Sequence, residues 1–104
     1  MIESRNGVYH LKTDCYSYLF RVDPYGCLQH LHFGRPVRTE DAAGFIPCPG
    51  LGWGTCTLLD DADSGSCLDD KPLEWSGSGR GDYRESPMEL GGVSTDFRYT
   101  GMQI

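Results

Sequence analysis

Residues 16 to 33 read Tyr16-Ser17-Tyr18-Leu19-Phe20-Arg21-Val22-Asp23-Pro24-Tyr25-Gly26-Cys27-Leu28-Gln29-His30-Leu31-His32-Phe33, and their pattern decides the fold class. Tyr16, Tyr18, Phe20 and Val22 recur at period two, which places them on one face of a half-buried strand. Asp23-Pro24-Tyr25-Gly26 then supplies turn chemistry: Asp to start, Pro to preset φ, and Gly to close. A strand from Cys27 to Phe33 completes a β-hairpin.

Working outward, Gly7-Val8-Tyr9-His10-Leu11-Lys12 is a shorter strand of the same kind. From Gly34 to Gly81 the texture changes. Gly, Ser and Asp are abundant there, and Pro36, Pro47, Pro49 and Pro72 stop any helix before three turns. A long irregular excursion is expected, with one short strand at Cys56-Thr57-Leu58-Leu59. Met88-Glu89-Leu90 and Asp96-Phe97-Arg98-Tyr99 read as two further strands joined through Gly91-Gly92. The expected class is mainly β with little helix, an antiparallel β-sandwich or part of one. The chain stops on Met102-Gln103-Ile104 with apolar groups showing, so a fragment of a longer protein is expected.

A chain of 104 residues is about one domain, with little spare wall for a deep catalytic cleft. Its net charge of −6 and scattered basic residues argue against a nucleic-acid partner. No apolar run approaches the roughly 20 residues that cross a bilayer, and the N-terminus lacks signal-peptide regions, so no membrane role is expected and the cytoplasm is the default compartment. The five cysteines are odd in number and widely spaced without CxxC, which points to free, mostly buried thiols.

Several local patterns invite sharper readings and fail on geometry. The acidic run Asp60-Asp61-Ala62-Asp63-Ser64-Gly65 fits no calcium-loop register: a start at Asp61 puts Ser66 at the Gly position and Pro72 at the terminal Glu, and a start at Asp60 puts Ala62 at position 3 and Lys71 at position 12. His30 and His32 alternate on a strand, which is expected to place both on one face with Cys27 on the other. A metal there needs a further ligand, so two surface or interface imidazoles are expected and neither metal nor cofactor is assigned. The string Gly77-Ser78-Gly79-Arg80-Gly81 is followed by Asp82-Tyr83-Arg84-Glu85-Ser86-Pro87 rather than by a helix N-terminus, so it is a poor phosphate cradle. Arg80-Gly81-Asp82 matches an adhesion tripeptide, yet three letters recur by chance. A rigid docked loop fits better: glycines permit close backbone approach, Asp82 and Arg84 project to one side, and Trp75 anchors the segment upstream.

Leu73-Glu74-Trp75-Ser76-Gly77-Ser78-Gly79-Arg80-Gly81-Asp82-Tyr83-Arg84-Glu85-Ser86-Pro87 resembles a motif near the end of the N-terminal domain of bacterial α-galactosidases of glycoside hydrolase family thirty-six. Ser17 to Val22, Gly26 to Gly34 and Ser94 to Tyr99 resemble the same domain in the same order, so the resemblance spans nearly the whole chain. It implies that residues 1–104 form part of a larger β-supersandwich, with the catalytic (β/α)₈ barrel outside this chain. The structural signature it implies is Trp75, Gly79, Gly81, Asp82, Arg84 and Pro87.

The resemblance further implies a parent enzyme that removes terminal α-linked galactose from sugars such as melibiose and raffinose with retention. Two carboxylates about 5 to 5.5 Å apart perform such chemistry. In the family both are barrel aspartates, so none of Asp60, Asp69 or Asp82 inherits a catalytic role. The implied partners are the parent's own barrel and other subunits of a homo-oligomer, commonly a tetramer. A loop of this domain reaches a neighbouring subunit's site in the family. Here that position falls between Asp41 and Trp53, where residues 44–53 hold no acidic residue to inherit the sugar contact; Trp53 is expected to be a docked interface aromatic, with stacking on a sugar face as the alternative. A rival reading is a freestanding carbohydrate-binding module that uses Trp53, Trp75 and Tyr83 as a stacking platform.

Overall fold

In the computed structural model, which describes residues 1–47, 68, 71–75, 88, 90–92 and 96–104, the alternating N-terminal third forms one antiparallel sheet. Its strands lie in chain order: β1 Ile2–Arg5, β2 Val8–Lys12, β3 Ser17–Val22 and β4 Leu28–Gly34. The fold class is therefore mainly β and antiparallel, and among the described residues one 3₁₀ helix follows at Thr39–Phe45.

Two turns set the register. Asn6 and Gly7 take φ of 51° and 75° between β1 and β2, the left-handed pair that matches the twist of a two-residue hairpin. Between β3 and β4, Asp23 organises the turn with its own carboxylate. Its Oδ1 accepts the N–H groups of Tyr25 and Cys27, both at 2.9 Å, and its Oδ2 accepts Lys71 Nζ at 2.7 Å. Gly26 closes the turn at φ 80°, a conformation that a side chain makes costly.

The pairing of β3 with β4 is interrupted. Leu19 faces His32 and Phe20 faces His30, so Leu31 is an extra residue, a β-bulge. The bulge turns Leu31 onto the same face as His32, and this determines where the core lies. Leu19, fully buried, packs with Leu31 and Ala42 of the 3₁₀ helix, and Val8, Val37, Phe45 and Ile46 close around them. The helix starts where Arg38 pairs with Asp41 at 2.9 Å and lies across this face.

The most buried face of β3 is thus Ser17 and Leu19, not the aromatic row. Tyr18, Phe20 and Val22 are half-buried on the other face, and Tyr16 precedes the strand, exposed. Further expectations are corrected. β1 and the 3₁₀ helix were not foreseen. Residues 96–99 do not form a strand; they lie over the sheet through one backbone bond, Tyr99 N–H to the Gly26 carbonyl at 3.0 Å. Of residues 88–90, Met88 and Leu90 are described and lie outside the named strands, with Gly91 and Gly92 turning at positive φ. The expected strand at 56–59 lies outside the described residues.

Candidate functional site

Two polar constellations stand on the two faces of the sheet. On the helix-covered face, His10 of β2 is fully buried, with Nε2 2.9 Å from Ser17 Oγ and Nδ1 2.8 Å from Thr39 Oγ1. The Thr39 hydroxyl donates to Glu3 Oε2 at 2.5 Å, and Lys12 Nζ lies 2.7 Å from the same carboxylate oxygen. These bonds set the proton order. Glu3 can only accept, so Thr39 Oγ1 accepts from His10 Nδ1–H, and Nε2 accepts from the Ser17 hydroxyl. The order matches a serine hydrolase relay with a hydroxyl inserted before the acid. Ser17, however, is 2 % exposed and its oxygen also accepts the Val37 N–H at 3.0 Å, so no substrate can reach it. The relay is structural: it ties β1, β2, β3 and the helix together.

On the aromatic face, the residues Pro72, Leu73 and Glu74 lie along the free edge of β4. His30 N–H donates to the Pro72 carbonyl at 2.6 Å, Glu74 N–H donates to the Leu28 carbonyl at 2.9 Å, and Leu73 bridges Gln29. The Glu74 carboxylate then folds over the sheet, with Oε1 2.6 Å from His30 Nδ1. Burial, then a hydrogen bond to Glu74, pushes the Tyr18 phenol well above its ordinary range. Glu74 thus fastens residues 72–74 to β4.

The bulge overturns the expectation that His30 and His32 share a face. His30 lies over Tyr18 on the aromatic face, with ring centroids 6.0 Å apart, whereas His32 stacks on Phe45 of the helix at 4.9 Å. The two imidazoles cannot chelate one ion. Among the described residues no cluster of three metal-ligating side chains occurs.

Next to Glu74, Trp75 meets Phe97 edge-on at 5.9 Å. Both line an apolar cavity of about 230 Å³ with Cys27, Leu28, Leu68 and Leu73, where burial, then the Asp23 charge, pushes the Cys27 thiol up. Arg98 on its wall donates to the Tyr25 carbonyl, and Tyr99 places its hydroxyl 2.5 Å from that of Tyr9. Of the sequence-predicted site residues, only Trp75 is described. Trp53, Gly79, Gly81, Asp82, Tyr83, Arg84 and Pro87 lie outside the described residues, as do Asp60 and Asp69.

Residues 96–99 and 72–75 cover one end of the aromatic face. The other end is open: Tyr16 and Phe33, 57 % and 68 % exposed, hold their rings parallel within 5° at 6.2 Å. With Met1, Ile2, Leu11, Thr13 and Tyr18 they line a shallow groove of about 300 Å³. A patch of this kind can bury another apolar surface. Comparisons with protein families, with curated proteins and with solved structures find no match for this chain. No helix among the described residues is long and apolar enough to cross a membrane.

Proposed function

We propose that this chain is the N-terminal, noncatalytic portion of a retaining α-galactosidase of glycoside hydrolase family thirty-six. Its sheet serves to dock the catalytic barrel and to assemble subunits of a homo-oligomer. The observation that carries the docking role is the open end of the aromatic face, where Tyr16 and Phe33 stand exposed on a sheet whose other face is already packed. An apolar sheet face is buried most readily against another packed element, which supports a docking role for this one. The resemblance of residues 73–87 to the family's signature supplies the partner: the parent's own (β/α)₈ barrel, which cleaves terminal α-galactosides of the melibiose and raffinose type.

The arrangement of Glu74 supports the same reading. It is held on β4 by its carboxylate against His30 and by its own N–H to the Leu28 carbonyl, next to the Pro72 carbonyl that accepts the His30 N–H. Asp23, the most deeply buried of the described carboxylates, is spent on the turn and on Lys71 and has no free oxygen for chemistry. The proposed setting is the cytoplasm, where Cys15 and Cys27 remain thiols.

Calorimetric titration of the chain with raffinose, paired with an aryl α-galactoside assay, tests this role. The expected result is neither binding heat nor turnover. Saturable binding without turnover favours the carbohydrate-binding module built on Trp53, Trp75 and Tyr83, and turnover at enzyme-like rates refutes the noncatalytic assignment.

A further inference from the structure

We propose that His10 is an acid-sensitive latch: its protonation frees residues 37–46 from the sheet and uncovers the Leu19–Leu31–Ala42 cluster. The imidazole is fully buried at the seam between sheet and helix, and each of its nitrogens is bonded to a hydroxyl. The hydroxyl chain is polarised by Glu3, so Nε2 must accept. A second ring proton turns Nε2 into a donor that faces the Ser17 donor. The Ser17 hydroxyl must then rotate its proton away from Nε2, and the Val37 N–H bonded to the same oxygen is disturbed with it.

The charged and titratable groups around His10 come from every packed element: Glu3 on β1, Lys12 on β2, His32 on β4 and Glu40 on the helix. Burial is the largest influence, and with Lys12 and His32 it holds the imidazole below its ordinary 6.5, against the pull of Glu3 and Glu40. A group depressed in the folded state contributes its stabilisation in full above the unfolded value. That contribution declines as pH drops below 6.5 and is gone once pH passes below the folded value.

The helix yields rather than the sheet. β2 and β3 are joined by a five-residue ladder, whereas the helix is a single 3₁₀ segment of seven residues, a geometry with poor bonds and little stability of its own. A groove of about 340 Å³ along the seam, lined by Arg5, Val8, Thr39, Glu40, Ala42 and Ile46, brings water close to the latch.

Amide hydrogen exchange of the whole chain between pH 7.5 and 5, expressed as protection factors, tests the latch. Protection at Val37 and at Asp41 to Ile46 is expected to fall about tenfold per pH unit below the ordinary imidazole value, while that of the β2–β3 ladder holds. In H10Q the amide can donate to Thr39 and accept from Ser17, and protection at 37–46 is expected to become independent of pH. Should H10Q fail to fold, the C2 proton of His10 in the unmodified chain is followed by NMR. Titration at or above the ordinary value, or equal loss of protection in helix and ladder, overturns the proposal.

Discussion

His30 and His32 stand two residues apart on β4 and face opposite sides of the sheet, one held by Glu74 and the other stacked on Phe45. The bulge at Leu31 separates them, so the two substitutions act on different segments. His30→Ala is expected to loosen residues 71–75 and leave the helix in place. His32→Ala is expected to loosen residues 39–46 and leave the β4 edge in place. Each costs about 1 kcal/mol, the scale of a partly exposed hydrogen bond or ring contact. Limited proteolysis with mass spectrometry reads both sites, and identical cleavage patterns contradict the assignment.

The two faces also differ in what they contribute to stability. Leu19→Ala removes a fully buried side chain and is expected to cost about 2–5 kcal/mol in urea unfolding. Tyr16→Ser, at an exposed ring, is expected to change stability by less than about 0.5 kcal/mol. In the proposed parent enzyme the same Tyr16→Ser change is expected to weaken domain or subunit association, measured by sedimentation. Equal stability losses for the two variants in the isolated chain undo the distinction between packed and docking faces.

Asp23 holds its turn through three bonds from one buried carboxylate. Asp23→Asn keeps an oxygen for the two N–H groups and loses the Lys71 charge pair. Asp23→Ala leaves two backbone donors unsatisfied, at about 1–3 kcal/mol each. Chemical denaturation is expected to rank alanine well below asparagine. Equal effects mean that the Lys71 pair, not the turn, carries the stabilisation.

How much of this was legible in the sequence depends on which physical signal each element carries. The 16–33 hairpin was readable because alternation and turn residues agreed. β1 was missed because Ile2-Glu3-Ser4-Arg5 holds one apolar residue, although Asn6-Gly7 is itself a hairpin signal. The bulge was not readable. An apolar Leu31 suits either face, and only packing against Leu19 and Ala42 selects the extra residue. The buried role of His10 was hidden because its partners, Ser17, Thr39 and Glu3, are scattered along the chain. Residues 96–99 alternate like a strand, yet they contact the sheet through side chains and one backbone bond. The edge-on contact of Trp75 with Phe97 was not readable, since 22 positions separate them in the numbering.

Thiol chemistry offers an independent check on burial. Cys15 is exposed, whereas Cys27 is half-buried with its thiol pushed up by burial and by Asp23. Iodoacetamide at neutral pH is expected to label Cys15 well before Cys27, as read by peptide mass spectrometry. Faster labelling at Cys27 contradicts the packed cavity beside Trp75.

The proposed function places these residues in a retaining α-galactosidase whose chemistry lies outside them. The most direct test is hydrolysis of an aryl α-galactoside by the product of the complete reading frame that encodes this chain, with the anomer of the released sugar followed by NMR. The expected result is hydrolysis with α-galactose appearing first, at a rate that these 104 residues alone do not reach. A complete product that leaves the substrate intact, or one that releases β-galactose first, contradicts it.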